Sequence, residues 1–244
     1  MAIRSFYFTF LMSIQFIVPS IDLYSDSPEH PTTHFDFNFN ANEQNWVGDF
    51  ADYPVGDETF FELEFGRAVL PNPIPLSNEV LENGLYLSGN NHSDDLFMFV
   101  KRQVEGLEPN TFYALTFNVI LESNIPPGRI GIGGSPGESV YVKVGGSALE
   151  PQKIGIRGYY QMNVDKGNQS TGGEEALVVG NLANVHVDRE DPRFEPITYV
   201  NSTPLRVKTD PEGRLWLFLG TDSGFEGPTL FYIVSIAVNA EPIP

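Results

Sequence analysis

Apolar and polar residues alternate with a period of two along most of the chain. Phe35, Phe37 and Phe39 share one side of an extended backbone, and Asp36, Asn38 and Asn40 share the other. Tyr113, Leu115, Phe117, Val119 and Leu121 form a longer stripe, and Val140, Val142 and Val144 a third. The runs 96–100, 215–219 and 230–238 are apolar without alternation, as strands covered on both faces would be. No segment keeps a helical period over three turns. Turn-forming groups such as Asn83-Gly84, Pro126-Pro127-Gly128 and Asp210-Pro211-Glu212-Gly213 separate the runs. The pattern predicts about eleven to twelve strands. It predicts an all-β fold, an antiparallel β-sandwich in a single domain. The longest expected loops are 66–82, 146–158 and 184–204.

The two ends read differently. Residues 1–20, MAIRSFYFTFLMSIQFIVPS, place Arg4 before an apolar stretch of signal-peptide length. Residues 21–34 are polar and contain Pro28 and Pro31, as a linker would. The sandwich is expected over 35–240, with 241–244 as a tail. No second long apolar run follows, so no stable membrane span is expected after processing. The expected location is secreted, periplasmic or on the cell envelope.

Composition narrows the chemistry. The 244 residues carry 32 acidic and 14 basic side chains, a net charge of −18, and no cysteine. An acidic protein of this kind lacks the basic clusters that neutralise phosphates, so nucleic acid is not an expected partner. Disulfides and thiolate metal sites are excluded. The four histidines have no metal-ligand spacing. No nucleophile elbow or phosphate loop is present.

Four polar, glycine-rich segments interrupt the apolar pattern: 89–95, 131–138, 163–174 and 220–226. Each adjoins a strongly apolar run, which would fix one end of the loop to a rigid base. The segments 89–95 and 220–226 are expected to meet. Asp94, Asp95, Asp222 and Glu226 would then repel one another unless a cation, a basic side chain such as Lys166, or shifted pKa values compensated. Calcium, a hard cation that takes carboxylate and amide oxygens, is the expected compensator and cofactor. Asn90, His92, Glu138, Tyr159, Tyr160, Lys166 and Phe225 are the candidate ligand-binding residues: aromatic platforms with fixed polar groups beside them.

The segment Gln103-Val104-Glu105-Gly106-Leu107-Glu108-Pro109-Asn110-Thr111-Phe112-Tyr113 resembles the strand–turn–strand of carbohydrate-binding jelly rolls of the galactose-binding-like type. The runs 215–220 and 229–238 resemble the closing strand pair of such modules. The chain also resembles a group of exported bacterial proteins of unassigned function, on the stretches 88–95, 133–139 and 220–227. The first resemblance implies a jelly-roll sandwich and extracellular carbohydrate as partner. The resulting expectation is a secreted carbohydrate-binding-like module with a structural calcium. Two alternatives stay open: a polysaccharide-acting hydrolase or lyase using carboxylates of the 89–95 and 220–227 loops, and an envelope or matrix structural protein.

Overall fold

A computed structural model describes residues 31–75 and 78–244. The alternating stripes are its strands: β1 (Thr33–Asn38), β2 (Val47–Ala51), β3 (Tyr53–Pro54), β4 (Glu64–Pro75), β5 (Val80–Asn90), β6 (Leu96–Val104), β7 (Phe112–Ser123) and β8 (Val140–Ser147). Then follow β9 (Lys153–Ile156), β10 (Tyr159–Met162), β11 (Ala176–Asn181), β12 (Glu195–Val200), β13 (Leu205–Lys208), β14 (Leu215–Ser223) and β15 (Pro228–Ile243). There is no helix among the described residues.

Two antiparallel sheets face each other as a jelly-roll sandwich. The first has the order β12-β7-β15-β5-β4, with β1 also on β15 and β13 also on β7. The second has the order β11-β8-β14-β6-β2. The predicted stripes Leu115, Phe117, Val119, Leu121 and Val140, Val142, Val144 meet between the sheets, together with Leu96, Met98, Leu217 and Ile236. This burial is the main stabilising term of the fold. The turn into β7 is tight: Gly106 and Asn110 have positive φ, and the Glu108 N–H donates to the Tyr113 hydroxyl at 2.9 Å.

A third layer was not foreseen. Strands β3, β10 and β9 form a small sheet. They and the segment after them lie over the outward face of the second sheet, where Phe97, Phe99 and Phe218 pack against Val164, Ala176 and Met162. That is why β6 and β14 are buried on both faces, as their unbroken apolar runs predicted. The run 230–238 differs, since its outward positions Leu230, Tyr232, Ser235 and Ala237 are only half-buried.

Several boundaries shift. The expected loop 66–82 is mostly strand, because β4 is an edge strand and the missing N–H groups of Pro71, Pro73 and Pro75 cost an edge little. Strands β9 and β12 occupy parts of the other two expected loops. Strand β1 begins at Thr33, within the expected linker, because Thr33 and His34 pair with Ala240 and Asn239. The residues read as a tail, 241–243, pair with β7 through Ile243↔Phe112. The expected signal peptide at 1–20 and the linker to residue 30 lie outside the described residues.

Candidate functional site

Strands β6 and β14 pair with Leu96 opposite Ser223 and Phe97 opposite Asp222. The segments 89–95 and 220–226 therefore leave the same end of adjacent strands. The Asn91 side-chain amide locks them together, donating to the Ser223 and Phe225 carbonyls at 3.0 and 2.9 Å. The other two polar segments join at the same end. Glu226 N–H donates to the Ile132 carbonyl at 2.9 Å, and the Gln169 amide donates to the Asp94 carbonyl at 2.8 Å. All four glycine-rich segments thus converge.

Beneath them lies a buried charge cluster. Asp222 and Lys143 project from the outward face of the second sheet and are both 0% exposed. Asp222 Oδ2 accepts from Lys143 Nζ at 2.8 Å, Lys166 Nζ at 2.7 Å and Gln169 N–H at 3.0 Å. Lys143 uses its remaining protons on the Lys166 and Thr171 carbonyls at 2.8 and 3.0 Å. Lys166 Nζ also stands 2.9 Å from Asp52 Oδ2, an ion pair outside hydrogen-bond geometry. Carboxylate oxygens of Asp52, Asp95 and Asp222 lie within 4.8 Å of one another.

Three carboxyls face two ammonium groups, which leaves one negative charge to neutralise. A proton does this. Burial, then the charges of Asp52 and Asp222, push the Asp95 carboxyl up to about 7. Oδ1 of Asp95 and Oδ1 of Asp222 are both buried without a partner. Protonation of Asp95 would bring the cluster to zero net charge, with an Asp222 oxygen within 4.8 Å. Burial also raises the Asp52 pKa and lowers that of Lys143. For Lys166 burial opposes the charge, but Asp222 and Asp52 together outweigh it and raise the pKa.

Above the cluster is a cleft of about 240 Å³ lined by Asp52, Ser93, Asp95, Tyr159, Tyr160 and Gln161. Its aromatic wall comes from the β9–β10 hairpin. There Ile156 pairs with Tyr159 across Arg157-Gly158, both at positive φ, as a two-residue hairpin turn requires. Tyr159 is 47% exposed. Tyr160 is fixed from behind by Tyr53, with ring centroids 5.2 Å apart, and by Lys153 Nζ, 4.7 Å from its ring centre.

The sequence candidates divide among these places. Tyr159 and Tyr160 line the cleft, with Asp95 at its floor and Lys166 below. Of the four expected calcium ligands only Asp95 and Asp222 come together, and their third partner is Asp52. Asp94 and Glu226 instead flank Gly133, outside the cluster. The three clustered oxygens suit a hard cation, but the two lysines already lie against Asp222 and Asp52. His92 is exposed and stacked on Phe60, and Asn90 donates to Glu62 at 3.2 Å. Glu138 lies apart from the cleft and closes its own turn, accepting from Gly128 N–H at 2.6 Å and from the Ser135 hydroxyl. Phe225 is not an open platform, since its ring lies against Gly131 and Gly227 and packs onto the core. Trp46, also in a polar sequence context, is buried.

Asp52, Lys143 and Phe60 were missed. Lys143 carried a signal: a lone cation inside the apolar run Val140–Ser147 needs a buried counter-charge. Asp52 and Phe60 carried none.

No family model matches the chain, and no curated protein matches it. Solved structures similar to it include the family 11 carbohydrate-binding module of a cellulosomal cellulase of Clostridium thermocellum. That match has 9% identity over 86% of this chain and 95% of that one, with a TM-score of 0.38. A structure of TmCBM61 in complex with β-1,4-galactotriose has 9% identity over 80% and 87%, with a TM-score of 0.36. A mannan-recognising carbohydrate-binding module, TmCBM27, has 12% identity over 86% and 98%, with a TM-score of 0.35. Likenesses this distant do not carry a function across.

Proposed function

We propose that the chain binds carbohydrate in the cleft between Tyr159, Tyr160 and the floor formed by Asp52 and Asp95. One observation carries this reading. The cleft joins a half-exposed aromatic wall to convergent hydroxyl, amide and carboxyl groups, Ser93, Gln161 and Asp95. Aromatic faces take the apolar side of a sugar ring, and fixed polar groups take its hydroxyls. The volume is below the range of about 300–1,000 Å³ usual for larger ligands, which suits one ring or a chain end. Titration calorimetry against neutral glucan, galactan and mannan oligosaccharides tests it. Tyr159→Ala is expected to lower affinity about tenfold and leave the unfolding midpoint unchanged. Binding to no member of the panel overturns the reading.

In this reading the chain works outside the cytoplasm, which rests on the pattern of residues 1–20. N-terminal sequencing of the exported product tests that. Lys143 and Lys166 lie against Asp222, where calcium was the expected compensator.

A second reading, cleavage of a glycosidic bond in the same cleft, is favoured by Asp95. A carboxyl raised to about 7 keeps a proton near neutral pH, and an Asp52 oxygen lies within 4.8 Å. Glycosidases work with one protonated and one ionised carboxyl. Release of reducing ends from the panel, lost in Asp95→Asn, would select this reading over binding alone.

A further inference from the structure

The turn between β3 and β4 carries two consecutive phenylalanines that point opposite ways. Phe61 is buried, 5.5 Å ring to ring from Tyr53, and its carbonyl accepts the Asn90 N–H at 2.7 Å. Phe60 is 60% exposed. A single exposed phenylalanine is ordinary, but this one is paired. The His92 imidazole lies over it with ring centroids 4.1 Å apart and planes 24° from parallel, and His92 is itself exposed.

The turn that carries Phe60 is tied down on both sides. Phe61 N–H closes the turn onto the Asp57 carbonyl at 2.9 Å, and the Asn90 amide clips it through Glu62 at 3.2 Å. The next residue after His92 is Ser93, which lines the cleft. The stacked pair therefore stands one residue along the chain from the cleft lining, with its outer ring faces and edges left to a ligand.

We propose that Phe60 and His92 form a second sugar subsite, which takes the following ring of an uncharged oligosaccharide whose first ring occupies the cleft. This rests on the carbohydrate reading of the cleft and adds the class of ligand. The cleft has room for about one ring, so any preference for longer chains must arise outside it. Glu62, two residues from Phe60, and a net charge of −18 disfavour uronates.

The test is a length series from one to four units of the glucan, galactan and mannan sugars, titrated into the full mature chain. Wild-type affinity is expected to rise about tenfold from one unit to four. Phe60→Ala should remove that rise and leave affinity for the single unit unchanged, with an unaltered unfolding midpoint. His92→Ala should act in the same direction. The His92 ring proton resonances should shift with four units and not with one. Equal affinity of Phe60→Ala and wild type at every length, or a wild type indifferent to length, overturns the subsite and leaves the cleft reading standing. Absence of binding at every length overturns both.

Discussion

Two acidic side chains, Asp222 and Glu122, are completely buried, each on the outward face of one of the two sheets. They are stabilised in opposite ways. Asp222 accepts hydrogen bonds from two lysines and a backbone N–H. Glu122 forms no ion pair among the described residues. Its Oε2 receives one long bond from Asn72 N–H at 3.4 Å, Oε1 has no partner among the described residues, and the charge of Glu195 acts on it. Burial first, then Glu195, push Glu122 up to about 7. One sheet sets positive charge from β8 and the 163–174 segment against its buried carboxyl; the other leaves its buried carboxyl with a raised pKa. The difference follows from what covers each face. A long polar segment can deliver Lys166 and a backbone N–H, whereas the fold-back of β4 over Leu81 and Val234 delivers apolar side chains.

The contrast breaks most visibly at Lys143. Lys143→Met removes one of the two cations from a fully buried carboxylate and is expected to cost about 3–5 kcal/mol in urea unfolding. Glu122→Gln, which replaces an already neutral carboxyl by an amide of the same shape, is expected to stay within about 1 kcal/mol at pH 6. Equal losses in the two variants would show that Glu122 is ionised and partnered after all.

The pH dependence comes next in size. Asp95 and Glu122 have ordinary values of 3.8 and 4.5 and are raised to about 7 in the folded chain. Between those values the folded state binds more protons than the unfolded one. Their contribution to stability therefore falls as pH rises from about 4 to about 7 and is level beyond. Carboxyls with lowered values, such as Asp165 and Glu138, act in the opposite sense, so the comparison is between variants. Glu122→Gln should flatten the fall measured by denaturant titration across that range. A slope identical to wild type would place the Glu122 pKa at its ordinary value.

The smallest effect concerns calcium. With lysines compensating Asp222, calcium against chelator should leave the melting temperature unchanged. A rise that Asp95→Asn abolishes would show a cation competing for the three clustered carboxyls and would restore calcium to the cluster.

Much of the sandwich was legible in the residues. The stripe of Leu115 to Leu121 became the core face of β7, and the unbroken run Leu96 to Val100 announced a strand covered on both sides. The convergence of 89–95 with 220–226 was also legible, since both adjoin strands that must lie in the core. The proline-rich β4 was not, because an edge position, which excuses proline, is a property of the assembled sheet. Phe225, expected as a ligand platform, packs onto the core for a related reason. A polar neighbourhood in sequence says nothing about which turn folds a ring inward.

What this sequence determined by itself is the extended backbone, the two-sided patterning and the acidic, cysteine-free chemistry. These depend on neighbours one or two residues away. The candidate site depends on the register of β6, β8 and β14 and on where the 163–174 segment is laid. Residues 52, 95, 143, 166 and 222 are distant in the chain and meet only in the folded sheet. A slip of one residue in β14 would turn Asp222 into the hydrophobic core and leave Lys143 unpaired. Tertiary structure alone therefore brought Lys143 and Lys166 to Asp222, because a buried charge answers to everything within a few ångströms and sequence distance does not enter.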